Sequence, residues 1–133
     1  MSSPLDTRPS SAASTVNVLI VDDQRPFRDA ARTVVSVIKG WQVVAEAASG
    51  EDAVAAAEAT SPAIVLMDIN LPGISGIEAT RRIVEAAPEI RVILLSTYQA
   101  DDLPADALTC GAAAYVRKED LTPRVLRDVA AAS

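Results

Sequence analysis

Acidic side chains follow two apolar runs in this chain, each at the point where the run ends. The run Val16–Val21 is followed by Asp22 and Asp23, and the run Ala63–Met67 is followed by Asp68. Both runs are continuously apolar, as expected of parallel strands that are buried on both faces. Because ligands of open α/β sheets bind at the carboxyl ends of the strands, we expect these three carboxylates to converge on one site.

Such a cluster needs a cation, since carboxylates within a few ångströms repel one another and one of them would otherwise stay protonated. Oxygen ligation without His or Cys suits Mg²⁺, which also keeps positions for water and phosphate oxygens. Two further predicted strands end on polar groups, one on Ser96 and one on Arg117-Lys118. Polar groups at four strand ends favour a metal-bound acidic pocket over the alternative of ordinary solvated loop residues.

Composition excludes several other chemistries. The sequence of 133 residues contains no histidine, so Ser-His-Asp catalysis, Cys-His catalysis and His-ligated zinc cannot be built. The net charge of −6 argues against direct nucleic-acid binding, which depends on Lys and Arg. A single cysteine, Cys110, and the lack of an export signal favour a reducing cytoplasm. No apolar run approaches the roughly 18 residues that span a membrane.

The chain alternates predicted strands and helices five times. The predicted strands are Val16–Val21, Gln42–Ala47, Ala63–Met67, Arg91–Leu95 and Ala113–Val116, and the predicted helices cover about 25–39, 49–60, 75–87, 101–110 and 122 onward. This alternation predicts right-handed βαβ units and an open, doubly wound parallel sheet with helices on both faces. We expect a disordered tail over residues 1–15 and one domain over residues 16–133.

Several of these residues, in this order, carry a family resemblance. They are Asp22-Asp23, Asp68 with Pro72 and Gly76 after it, Ser96, and the stretch Gly111–Lys118. Together they resemble the receiver domain of two-component response regulators, over Val16 to about Ala130. The stretches Leu95–Tyr98 and Gly111–Tyr115 most resemble the NarL/FixJ branch, whose members usually add a helix-turn-helix DNA-binding domain. The resemblance implies a flavodoxin-like (βα)5 fold with strand order 2-1-3-4-5.

The resemblance also implies a role for each polar residue. Asp68 would accept a phosphoryl group from the phosphohistidine of a histidine kinase or phosphotransfer protein. Asp22, Asp23, Asp68 and the backbone carbonyl of Asn70 would hold Mg²⁺. Lys118 would act with the metal to neutralise charge on the transferred group. Such a domain is a phosphoacceptor with slow self-dephosphorylation, and we do not expect it to be an enzyme.

Two residues would convert phosphorylation into a conformational signal. The Ser96 hydroxyl would turn toward the phosphoryl oxygen, and Tyr115 would follow into the vacated space. The face made by the fourth helix, the fifth strand and the last helix would then contact a partner protein. Two local features depart from a common receiver: Glu119 follows Lys118 where a proline often stands, so no cis peptide is predicted there, and Pro104 weakens the fourth helix. Tyr98 is either a shield over the phosphate or a plain surface aromatic.

The output of this domain has two interpretations. No basic helix-turn-helix segment follows the last predicted helix, which favours a stand-alone receiver that signals to an unknown protein target. The alternative is the receiver part of a truncated NarL/FixJ-type transcription factor. A weak homodimer through the last two helices stays open.

Three other classes fit less well. A phosphatase of the haloacid-dehalogenase type places Asp-x-Asp after a strand, whereas Asn70 occupies the second acidic position here. A flavin-binding electron carrier needs a phosphate loop after the first strand, where Asp22 and Asp23 would instead repel FMN phosphate. A pseudo-receiver that only binds a partner would not need the intact acidic set.

Overall fold

A computed structural model describes residues 15–97 and 104–131, which form one parallel sheet flanked by helices. The strands are β1 (Val16–Val21), β2 (Trp41–Ala47), β3 (Ile64–Asp68), β4 (Arg91–Ser96) and β5 (Ala114–Arg117). The α-helices are α1 (Arg25–Ser36), α2 (Gly50–Thr60), α3 (Gly76–Ala86) and α4 (Pro123–Ala131). All strand pairs are parallel and the order is β2-β1-β3-β4-β5, which confirms the predicted flavodoxin-like topology.

Short polar side chains define where three of the helices begin. Ser49 accepts a hydrogen bond from the amide of Asp52 at 3.1 Å, and Ser75 accepts one from Glu78 at 3.1 Å. The hydroxyl of Thr122 likewise accepts from the amide of Val125 at 3.1 Å. Each of these bonds satisfies an amide that has no partner inside its helix, which is the usual role of an N-terminal cap.

The sheet separates two apolar layers. On β1, Leu19 and Val21 face the layer formed with α2 and α3, whereas Val18 and Ile20 face the layer formed with α1 and α4. Alternate side chains of a strand point to opposite faces, so a central strand covered on both sides must be apolar throughout. This explains why Val18–Val21, the buried part of β1, is apolar at every position.

The structure differs from the predicted elements by one residue at several strand ends and in the following further respects. The first helix ends at Ser36, a turn before the predicted boundary. Within the described part of the predicted 101–110 helix, only the 3₁₀ segment Ala105–Leu108 is helical; Pro104 precedes it and provides no side-chain cap. The fifth strand lies one residue later than predicted, so Lys118 begins a 3₁₀ turn after Arg117. Tyr98, residues 101–103 and the predicted tail over residues 1–14 lie outside the described residues.

Cis peptide bonds and membrane-spanning helices are both absent from the part of the chain that the structure describes. None of their peptide bonds is cis, in agreement with the prediction for the bond after Lys118. None of their helices has the length and apolar content that a bilayer crossing requires.

The first residue of α3 packs against the end of β3 without room for a side chain. The Gly76 amide donates to the carbonyl of Ile69 at 2.9 Å. A Cβ atom at Gly76 would lie 1.9 Å from the backbone oxygen of Asp68. Glycine therefore allows the helix to start directly beside the strand end that carries the Asp68 carboxylate.

We predict that Gly76→Ala destabilises the domain by about 1–3 kcal/mol, the range for forcing extra volume into a packed site. The clash is with backbone, which cannot rotate away as a side chain would. Urea unfolding at fixed pH measures the change. Glu85→Ala, at an exposed position of the same helix, should stay within roughly 0.5 kcal/mol of the unmodified protein. Equal stability of the two variants would contradict this account of the packing.

Candidate functional site

Three carboxylates meet at the carboxyl edge of the sheet. Asp22 follows β1 and is fully buried, the neighbouring Asp23 is exposed, and Asp68 ends β3 with 5% exposure. One carboxylate oxygen from each lies within 4.8 Å of the other two. The convergence inferred from the two apolar runs is therefore present in the fold.

Asp22 is anchored by three different donors. Its Oδ1 accepts from the amide of Gln24 at 2.8 Å, and its Oδ2 accepts from Nζ of Lys118 at 2.6 Å. Its backbone carbonyl accepts from Nη1 of Arg28 at 2.7 Å. A buried carboxylate without such partners would be costly, so these bonds fix where the Asp22 side chain points.

Asp68 is less completely paired. Its Oδ1 accepts from the amide of Asn70 at 3.3 Å, and its Oδ2 lies 3.5 Å from Nζ of Lys118. Burial, followed by the nearby Asp22 charge, raises the pKa of Asp68 from 3.8 to about 6, although Lys118 opposes the change. A carboxylate whose charge is this poorly compensated is prepared to accept a cation.

Lys118 is the cation that the fold supplies to this cluster. Its side chain is 16% exposed, and its ammonium reaches both Asp22 and Asp68 from the turn after β5. It lies nearer to Asp22 than to Asp68, by the two distances given above. One lysine therefore serves two buried carboxylates, and the negative charge of the cluster stays in excess.

Ser96 and Tyr115 occupy different positions relative to the cluster. Ser96 ends β4 and is buried, one residue beyond Leu95, whose carbonyl accepts from the amide of Ile69 at 3.1 Å. The serine therefore lies next to the strand end that carries Asp68. Tyr115 pairs with Leu94 in the sheet and is half-buried against the layer formed with α2 and α3, so it belongs to the core and does not line the cavity.

A side chain of α2 forms a hydrogen bond with the loop that follows Asp68. The amide of Ile74 donates to Oε2 of Glu51 at 3.1 Å, and Gly73 adopts φ +75°, a conformation that favours glycine. This tether fixes the path of the loop that begins with Asn70. No pattern in the sequence predicts this tether, because an acidic residue such as Glu51 is common in the first turn of a helix.

A cavity of about 270 Å³ opens over the cluster. It is lined by Asp23, Gln24, Asp68, Asn70, Thr97 and Lys118. Gln24 and Thr97 were not predicted as site residues, although each directly follows a residue that was. The ring of Phe27 lies 4.5 Å from Nζ of Lys118 and was not predicted as a site residue either. Its position in the sequence is typical of the apolar face of α1.

The donor set fits a hard divalent cation. The three converging side chains offer only carboxylate oxygens, and the adjacent loop offers backbone carbonyls. Mg²⁺ prefers oxygen ligands of this kind and commonly keeps waters that phosphate oxygens can replace. The residues that could hold it are therefore the predicted ones: Asp22, Asp23, Asp68 and the carbonyl of Asn70.

The chain is similar to known signalling proteins along almost all of this fold. Residues 18–130 match the family model described as the response regulator receiver domain. The response regulator UvrY of Escherichia coli is 43% identical over 103 residues, which cover 77% of this chain and 47% of UvrY. The chain thus spans about half the length of the curated relatives it matches.

Two solved structures have the same architecture. A LuxR-family two-component response regulator from Aurantimonas is 35% identical with a TM-score of 0.77, covering 86% of this chain and 81% of that one. The receiver domain of the putative response regulator NarL from Mycobacterium tuberculosis is 28% identical with a TM-score of 0.79, covering 90% of this chain and 98% of that one. The match of the family model and these likenesses confirm the resemblance stated from the motifs: the chain belongs to the response regulator receiver domain family, in its NarL/FixJ-like branch.

Proposed function

We propose that this domain accepts a phosphoryl group on Asp68 from the phosphohistidine of a histidine kinase or phosphotransfer protein, in a Mg²⁺-dependent reaction. One observation carries the proposal: Asp68 lies at a strand end beside a second buried carboxylate, with an ammonium 3.5 Å away and an open cavity above. The partner must supply the phosphohistidine, because this chain contains no histidine.

The transfer follows from the groups in the cavity. An oxygen of the Asp68 carboxylate attacks phosphorus, the phosphorus–nitrogen bond breaks, and its electron pair returns to the imidazole of the partner. Bound Mg²⁺ would supply positive charge to the phosphoryl oxygens and orient them for in-line displacement. Lys118 would contribute a second positive charge from its position 3.5 Å from Asp68. Asp22 holds the ammonium in place through its 2.6 Å contact.

The signal would leave through a change of packing. We propose that Ser96, buried beside the Asp68 strand end, donates its hydroxyl to a phosphoryl oxygen, and that Tyr115 then repacks on its face of β5. Hydrolysis of the acyl phosphate would be slow and would reset the domain. The output is a contact with a protein target in the cytoplasm and not with nucleic acid, which the net charge of −6 supports.

We predict that beryllofluoride binds the unmodified protein with Mg²⁺ and fails to bind Asp68→Asn, because the anion needs the carboxylate oxygen as its fourth ligand. Isothermal titration calorimetry measures both. Asp128→Asn, at an exposed position on α4, is the matched control and should bind like the unmodified protein. Equal binding by the Asp68 and Asp128 variants, or no binding at all, would overturn the phosphoacceptor assignment. Trp41 begins β2 at the other end of the sheet, so we do not expect its fluorescence to report binding.

A second prediction concerns pH. The folded pKa of about 6 exceeds the ordinary 3.8, so the folded state holds the Asp68 proton more tightly than the unfolded state. The stability from this proton is complete below pH 3.8 and is lost as pH rises through 6. At pH 8 without divalent ions, Asp68→Asn should therefore be more stable than the unmodified protein, on the order of 2 kcal/mol.

Urea unfolding at several pH values tests this. The advantage of Asp68→Asn should shrink toward pH 4, and Mg²⁺ at pH 8 should stabilise the unmodified protein more than the variant. For Asp128→Asn, the difference from the unmodified protein should not follow this pH dependence. A stability difference for Asp68→Asn that stays constant from pH 4 to pH 8 would show that the Asp68 charge is not the cause.

A further inference from the structure

An aromatic ring lies against the ammonium of the site lysine. Nζ of Lys118 lies 4.5 Å from the centroid of the Phe27 ring, within the distance at which the electron-rich face attracts a cation. Phe27 lies in the first turn of α1 and is half-buried against the layer formed with α1 and α4. The ring therefore has a fixed position, held by the core on one side and offered to the lysine on the other.

The ring contact differs in kind from the contacts with the two carboxylates. Asp22 and Asp68 accept hydrogen bonds and draw the ammonium toward particular oxygens. A ring face attracts the charge without accepting a strong hydrogen bond, so the N–H groups stay available to other acceptors. A lysine side chain is flexible along its four-carbon stem, and a contact that restrains it without consuming its donors suits a group that must reach phosphoryl oxygens.

The same short segment places both the ring and the buried acid. The Gln24 amide donates to the Asp22 carboxylate, and the Gln24 carbonyl accepts from the Phe27 amide at 3.1 Å. Pro26, at the start of α1, restricts the backbone between them. Arg28, which follows Phe27 in the sequence, donates a hydrogen bond to the Asp22 carbonyl. The geometry of the acid and that of the ring are therefore linked through Gln24 and the first turn of α1.

We propose that Phe27 is a positioning residue for the phosphoryl-transfer site, and that its ring keeps the Lys118 ammonium over the acidic cluster. The proposal rests on the proposed function, in which Lys118 meets phosphoryl oxygens. A charge already in place when the anion arrives costs no ordering of the lysine at that moment. Phe27 is not among the residues that line the cavity, so we assign it a role that acts through its contact with Lys118.

The composition of the chain makes a clean test available. Phe27 is the only phenylalanine, so growth on a fluorinated phenylalanine alters this ring and no other. With 3,4,5-trifluorophenylalanine the ring keeps its approximate shape but loses negative charge on its face. We expect affinity for beryllofluoride with Mg²⁺ to fall about two- to five-fold, the size of a partly exposed cation–π contact. Phe27→Leu should lose a similar factor, and Phe27→Trp should keep the affinity within about two-fold.

A comparison with Lys118→Met distinguishes a role of Phe27 in positioning the lysine from a role in packing alone. We expect ring fluorination to shift the urea midpoint of the unmodified protein and of Lys118→Met by different amounts, because only the former has the cation. The ¹⁹F resonances of the meta and para fluorines of this one ring should likewise move on Lys118→Met. Equal midpoint shifts in both backgrounds, or an unchanged beryllofluoride affinity after fluorination, would reduce Phe27 to a core residue. If the unmodified protein fails to bind beryllofluoride, the proposed function fails, while the midpoint comparison still decides whether ring and lysine interact.

Discussion

Repulsion among three carboxylates at one end of the sheet is the constraint on which the rest of the site depends. Asp22 and Asp68 are both buried, so water does little to screen them from each other. The fold answers with one ammonium, two backbone amides and the first turn of α1, and this leaves negative charge uncompensated. This uncompensated charge costs stability, and in the proposed function it would attract a divalent cation, whose positive charge would in turn attract the phosphoryl group.

The strand framework could be predicted because its signals are local. A strand buried on both faces must be apolar, so the apolar runs before Asp22 and Asp68 predicted two such strands. Glycine and proline residues indicated the connections between the elements. The alternation of strands and helices predicted that the strands are parallel, and the family resemblance implied their order in the sheet. The segment around Pro104 was predicted as a weakened helix. Its spacing fits a helix, yet the described part forms only a short 3₁₀ segment without a side-chain cap.

The convergence of Asp22, Asp23 and Asp68 was predictable, and the geometry around them was predictable only in part. Asp22 and Asp23 are neighbours in sequence, and only the fold shows that the first is buried while the second is exposed. Lys118 was expected at the end of the fifth strand, and it directly follows β5 as the first residue of a 3₁₀ turn. Phe27 could not be identified as a partner of Lys118, because a ring that packs against the core and a ring that contacts a cation have the same sequence signature. Contacts between distant segments are set by tertiary packing, which periodicity does not encode.

The bond between Lys118 and Asp22 joins residues 96 positions apart in the chain. During synthesis, the acidic residues leave the ribosome long before the lysine that balances them, and β5 must join the sheet before the ammonium can reach the cluster. A partly made or truncated chain thus carries the acids without a competent site. If Asp68 is the phosphoacceptor, a fragment that lacks β5 and Lys118 would therefore react poorly with a phosphodonor.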